Sequence, residues 1–446
     1  MDGFDGELYL RLLGERALLS GGNQQPHGDP LVEQARALAT VGAVAAPVAR
    51  RVVEDYARVR ALRGLGGPAH VGPPSAFGPP SATAQGPRRI ALCHRVIRQP
   101  TGDLEIRYVI LSQAETRLAI IFRSNAQVPP HVGGRPAAMP IGVTGVPSIT
   151  VTDDYGNTVT SSEFSGGGTA LQWRGSLTLR PALAPDTTWI ELYGERVELG
   201  PSLGDRMVTI EDLTEADAVE RYLAQCLAGT GFRSPQSRSL PEALEALTAA
   251  GLVDPADPAI AATHAVHEAL TQVGRQLIPP PAWQQAPPPA RRQAPPPAPP
   301  HVPPPPGATE PWRSLLARRG DTGGPAGTLF VGVATPVFDQ VSAVLMDLTS
   351  TDAGFQCDVE LSGPFEVGMA GGSTLDQVFV TFSALDDRGN VHLGRFGSWS
   401  GGGGIVSGTL GFWPALDPKA TRLDIILTTD RARAVIAVPL TWDDAR

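Results

Sequence analysis

The chain has 446 residues, 42% of them apolar, with 50 glycines and 44 prolines, which points to several domains joined by many turns and linkers. A net charge of −9 excludes a general nucleic-acid binder, because such a protein needs a basic face to displace counterions. Lys419 is the single lysine, so a lysine mechanism has one place to reside, and Cys93, Cys226 and Cys357 form neither a zinc nor a disulfide pattern.

Residues 1–64 carry a helical signal. Asp29-Pro30 makes an N-cap and first-turn pair, and Gly42 supplies a stop. A second helix starts near Pro47, where Val48, Val52, Tyr56, Val59 and Leu62 recur at three- to four-residue spacing. The pair forms an αα-hairpin whose apolar stripe has little chain of its own to pack on. Val48, Val52, Tyr56 and Val59 are therefore the candidate interaction residues. Met1 to Glu7 is acidic where a secretory leader is basic, and the apolar run Ala37 to Ala49 falls short of the ~20 residues of a membrane span. The expected location is the cytoplasm, with no membrane partner.

Residues 65–87, rich in Gly, Pro, Ser and Ala, are a linker. From there to residue 202 the period is two. Leu104, Ile106, Tyr108 and Ile110 alternate with Glu105, Arg107 and Val109, while Leu118, Ile120 and Phe122 share a face. Short strands with turn signals between them predict an antiparallel sandwich over 88–202. Residues 209–277 return to helices: Thr214 with Asp217 and Ser239 with Glu242 resemble capping boxes, and Asp257-Pro258 opens a helix with the stripe Val266, Leu270, Val273 and Leu277. A Pro-rich linker follows over 278–310, with 15 prolines in the 28 positions 279–306. It reads as a stiff tether, since Arg291 and Arg292 lack the spacing of a proline-motif ligand.

The β pattern then returns as a copy over 326–441. A shift of 233 residues places Asp153, Asp154, Gly156 and Asn157 on Asp386, Asp387, Gly389 and Asn390. The same shift places Gly175, Leu177, Pro181, Ala182, Leu183 and Pro185 on Gly408, Leu410, Pro414, Ala415, Leu416 and Pro418. The expected architecture is multidomain and mainly β. Two antiparallel immunoglobulin-like β-sandwiches, related by internal duplication, accompany the N-terminal αα-hairpin, a central helical segment and the Pro-rich linker. Leu8 to Leu19, Asp153 to Asn157 and Ser165 to Gly168 together resemble uncharacterised actinobacterial proteins with an N-terminal helical segment ahead of such a sandwich. That resemblance brings no activity and no functional residue with it.

The chemistry-bearing stretches read as follows. The glycine runs at 165–168 and 400–404 lack the lysine and the helix of a phosphate loop, and read as pliable inter-strand connections. Asp153, Asp154 and Asn157, with Asp386, Asp387 and Asn390, offer calcium-type oxygens. The same residue types fasten tight turns, which is the favoured reading. Gly200 to Gly204 matches G-x-S-x-G in letters, but Ser202 follows a sandwich strand and Pro201, not a nucleophile elbow. His264 and His267 lie one helical turn apart without a third ligand, and Cys93 and His94 alternate across a strand. Trp173, Trp189, Trp399 and Trp413 do not align between the copies, which leaves core or edge packing as their role. The expectation is a non-enzymatic interaction or scaffold protein, with no cofactor, no catalytic residue, no nucleic acid and an unknown protein partner. The alternative is a metal-dependent or ligand-binding protein using the Asp turns and glycine loops.

Overall fold

The computed structural model describes residues 4–19, 29–62, 89–100, 102–113, 115–124, 149–168, 172–200, 207–213, 218–229, 239–277, 303–317, 327–351, 354–363, 380–402 and 405–441. They form two curled antiparallel sheets and a helical body. No helix among the described residues is long and apolar enough to cross a membrane.

The helices are α1 (Gly6–Leu19), α2 (Pro30–Thr40), α3 (Ala46–Leu62), α4 (Ala218–Gly229), α5 (Leu240–Ala249), α6 (Pro258–Leu277) and α7 (Trp312–Ala317). The side chain of Asp29 starts α2 as the sequence predicts, accepting from the Leu31 N–H at 3.0 Å, and Gly42 follows its end with φ +76°. Asp257 likewise accepts from the Ala259 N–H at 2.8 Å to open α6. At α5, Ser239 has N-cap backbone geometry but no side-chain capping bond.

Two expectations need correction here. The N-terminal segment holds three helices, not a two-helix hairpin. It is also not a separate segment: Leu10, Leu31, Leu38, Val52 and Tyr56 share one core with Tyr222, Leu247, Leu270 and Trp312. The α3 stripe packs on α1 and α2, and α2 in turn meets α5 some 200 residues distant, where Gln34 donates to Glu245 at 2.9 Å. No local periodicity records such a pairing.

The first β unit comprises β1 (Arg89–Gln99), β2 (Gly102–Leu111), β3 (Thr116–Ser124), β4 (Thr150–Asp153), β5 (Thr158–Gly168), β6 (Gln172–Leu179), β7 (Trp189–Leu192) and β8 (Glu195–Glu198), in the order β1-β2-β3-β6-β5-β4-β7-β8. Leu118, Ile120, Val151, Leu177 and Ile190 fill its inner face. The alternation expected along β2 breaks at Arg107, where the pairing with β3 slips between Ile106 and Tyr108. One extra residue reverses every later side chain. Leu104, Ile106, Val109 and Leu111 therefore point into the unit's core, while Tyr108 and Ile110 point out of it.

The second unit comprises β10 (Gly327–Ala334), β11 (Ser342–Thr351), β12 (Gly354–Ser362), β13 (Thr381–Asp386), β14 (Val391–Gly402), β15 (Ile405–Trp413), β16 (Arg422–Thr428) and β17 (Ala432–Pro439). Its order is that of the first unit with every strand number raised by nine. A further strand, β9 (Val208–Asp212), extends it along β17, with Glu211 paired to Arg433. Residues 209–212 were expected in the helical segment. Tertiary pairing overrides that, because β16 and β17 form a hairpin long enough to leave an edge open.

The helical body rests on this second unit. Leu393 and Trp413 belong to the helical core, and the buried Gln225 amide donates to the Thr429 carbonyl at 2.8 Å. The expected tether over 278–310 is also corrected at its C-terminal end, since Ala308 is buried in the helical core.

Candidate functional site

The Asp-x-Gly-Asn turns are the clearest sequence-predicted constellation. The Asp153 side chain is fully buried, and its Oδ1 accepts from the backbone N–H of Tyr155 at 3.0 Å and of Asn157 at 2.8 Å. Its Oδ2 accepts from the Asn157 amide at 2.9 Å. Asp386 repeats this set with Arg388 N–H at 3.0 Å, Asn390 N–H at 2.8 Å and the Asn390 amide at 2.7 Å. Asp154 accepts from the N–H and hydroxyl of Thr188, and Asp387 from those of Thr421. Gly156 and Gly389 take φ +80° and +81°, a conformation that suits glycine. These carboxylates fasten one β turn to the next corner of the chain. Among the described residues, no three His, Cys, Asp or Glu side chains are grouped to hold a metal ion.

The second turn carries a residue that sequence reasoning missed. His392 is fully buried; its Nδ1 lies 2.8 Å from the Pro414 carbonyl, its Nε2 lies 3.6 Å from Asp386 Oδ2, and Phe355 meets it edge-on. Burial would raise the Asp386 carboxyl, but the adjacent His392 imidazole and the hydrogen bonds from Asn390 outweigh it and hold the group at about 2. The 233-residue shift places His392 on Val159, between Val391 on Thr158 and Leu393 on Thr160, so nothing in the repeat singled it out.

The described glycines of both runs, 166–168 and 401–402, are strand, not connection, and 403–404 lie outside the described residues. Gly166 and Gly167 pair with Gly175 and Arg174, and Gly401 and Gly402 pair with Val406 and Ile405.

Of the candidate interaction residues, Val52 and Tyr56 are buried in the helical core and Val48 packs against it; Val59 is 37% exposed. The expected docking stripe is thus covered by the chain itself. The apolar groups this body shows to solvent include Leu8 and Leu12, one turn apart on α1 and 52% and 55% exposed. Burial pushes the Cys93 thiol up to about 12, which leaves it protonated and unreactive. His264 is exposed, and His267 is half-buried with its pKa lowered by burial and by His264. Trp189 carries the Arg196 guanidinium 4.3 Å above its ring, while Trp413 is a core residue. The side chains of His94, Trp173, Trp399 and Leu277 lie outside the described residues, as do Thr214, Asp217, Ser202, Arg291 and Arg292.

The arrangement with most chemical content is the seam between the two units. Its apolar part is small: Ile90, Tyr108, Ile110 and Ala119 meet Val344 and Met346. Beside it, Arg117 reaches across from β3 to the buried Glu360 on β12 and also pairs with Glu115. Arg107 crosses to Asp347 on β11 and lies 3.6 Å from Glu105. Burial lowers the Arg117 pKa, and Glu360 and Glu115 more than reverse it. The Tyr108 phenol stands well above its ordinary range through burial, with Glu360 and Asp358 adding to the effect.

Next to these pairs the seam opens into a cleft of about 250 Å³. One rung of its floor is Thr328, Thr349 and Gln356, registered across β10, β11 and β12. Phe330 and Asp347, paired across β10 and β11, follow with Asp358, and Glu105 and Arg107 form the facing wall. Arg107 keeps the face of Glu105 that alternation gives it, and the β2 bulge brings Tyr108 and Ile110 to the same seam in place of Val109.

No family model matches the chain, and no curated protein does. Among solved structures it is similar to the conserved domain protein from Bacillus anthracis, at 9% identity over 79% of this chain and 92% of that one, with a TM-score of 0.19. A likeness at that level carries no argument.

Proposed function

We propose that the chain is a non-enzymatic protein-interaction scaffold built on two immunoglobulin-like β-sandwich units that arose by internal duplication. The matching strand order and the repeated Asp153 and Asp386 turns support the duplication. One observation carries the functional reading. The polar residues common to both units are committed to holding turns, whereas the outer faces, where contacts are made, differ between the units. A cytoplasmic setting goes with this reading, since all three cysteines are free thiols.

The test is affinity capture with the full chain against variants of its exposed α1 face. A partner recovered reproducibly by the wild type and lost with Leu8→Glu plus Leu12→Glu supports the scaffold. Thermal shift with calcium, magnesium and zinc tests the alternative. Stabilisation by one metal that vanishes in Asp154→Ala or Asp387→Ala replaces the scaffold with a metal-binding reading.

A further inference from the structure

We propose that the outward face of α1 is a self-association surface, which packs antiparallel on α1 of a second copy of this chain. The proposal rests on the interaction reading above and names the occupant of its α1 face. Gly6, Leu10 and Gly14 are the buried side of α1. Leu8, Leu12 and Leu19 lie on the opposite side, 52%, 55% and 81% exposed, at the four- and seven-residue spacing of a helix-pairing seam. Glu15 interrupts that stripe between Leu12 and Leu19, and Arg11 stands one turn before it on the same flank.

The order of these residues is its own complement, which is what a two-fold interface requires. A two-fold axis crossing α1 beside Leu13 brings Leu12 against its own copy and Leu8 against Leu19 of the second copy. The same axis sets Arg11 against Glu15 of the second copy, and Glu15 against Arg11, so two ion pairs flank an apolar centre. A parallel arrangement would set arginine beside arginine and glutamate beside glutamate. Both charges are free to take these places. The Arg11 side chain is 57% exposed and bonds Glu7 at 2.6 Å, and Glu7 retains Arg51 at 3.1 Å when Arg11 turns to the second copy. Glu15 is exposed and is in no ion pair among the described residues. One helix pair of this length makes a small interface, so the dimer is weak, half formed at about 10–100 μM.

The test is sedimentation velocity of the full chain from about 2 to 500 μM, a range that brackets a weak dimer. A reversible monomer–dimer equilibrium is expected. Leu12→Glu, at an exposed position that leaves the melting temperature within a few degrees, is expected to keep the chain monomeric. Arg11→Glu and Glu15→Arg each set like charges against one another across the axis, and each is expected to weaken dimerisation about tenfold. An equal mixture of these two variants restores opposite charges on both flanks, and is expected to dimerise within about threefold of the wild type. A chain that stays monomeric throughout, a dimer indifferent to Leu12→Glu, or a mixture no tighter than its components overturns the assignment. A monomer that still captures a foreign protein, lost with Leu8→Glu plus Leu12→Glu, overturns the second copy and keeps the interaction reading. A monomer that captures nothing overturns both.

Discussion

The two β units share a strand order and a turn, yet they meet their surroundings differently. In the second unit Val391, Leu393 and Trp413 form a face that the helical body covers, Leu393 and Trp413 being almost fully buried. The 233-residue shift puts Thr158, Thr160 and Arg180 at the same places in the first unit, where all three are exposed. There Thr150 pairs with Thr160, and Thr152 with Thr158, through hydroxyls 3.2 and 3.1 Å apart. The hairpins differ too: β16 and β17 pair over seven rungs, from Arg422–Pro439 to Thr428–Arg433, whereas β7 and β8 pair over four. The longer edge is what β9 occupies. One framework thus supports two surfaces, because inward residues hold the fold while outward residues are free to choose what covers them.

The comparison breaks most readily at the covered face. Trp413→Ala removes the anchor of the helical body and is expected to cost about 3–5 kcal/mol. Arg180→Ala, its counterpart, loses an exposed ion pair with Glu115 and is expected to cost about 0–1 kcal/mol. Urea denaturation of both variants measures the contrast, and equal losses would show that the two faces are equivalent after all.

The seam ranks next. Arg117→Ala leaves Glu360 buried without its cation, for an expected loss of about 3–5 kcal/mol at the upper end of such effects. The double variant Arg117→Ala, Glu360→Ala is expected to recover part of that loss. A double-mutant cycle without coupling would mean that the units are not joined by this pair.

A smaller difference concerns acid. Asp386 is held at about 2, below its ordinary 3.8, so its contribution is whole above about pH 4 and is lost as pH falls through about 2. His392→Val copies the first unit's residue at that place and removes one cause of the depression. Acid unfolding of the second unit should then begin at higher pH, as followed by melting temperature between pH 2 and 5. An unchanged profile would assign the depression to Asn390 alone. The smallest effect belongs to the turn carboxylates: Asp154→Ala and Asp387→Ala each lose a threonine-fastened contact, and a fall in melting temperature smaller than that of the core variants is expected from either.

Much of the local structure was legible in the residues themselves. Asp29, Asp257, Gly156 and Gly389 act within four positions of their own place in the chain, through caps and turns that residue type alone specifies. The repeat was legible for the same reason, since its frame residues are turn and corner formers. The glycine runs were misread as connections because composition does not reveal that a partner strand satisfies their backbone groups.

What only the tertiary structure decided is where distant pieces meet. The β2 bulge turned Tyr108 and Ile110 outward and Val109 inward, and it depends on pairing with β3, not on alternation. Arg117 and Glu360 are 243 positions apart, and the cleft residues come from four strands of two units. The sequence by itself determined the turns, caps and repeated frame, because those rest on hydrogen bonds between near neighbours. The seam, the shared helical core and the placement of β9 follow from burial and charge pairing between faces that no periodicity links.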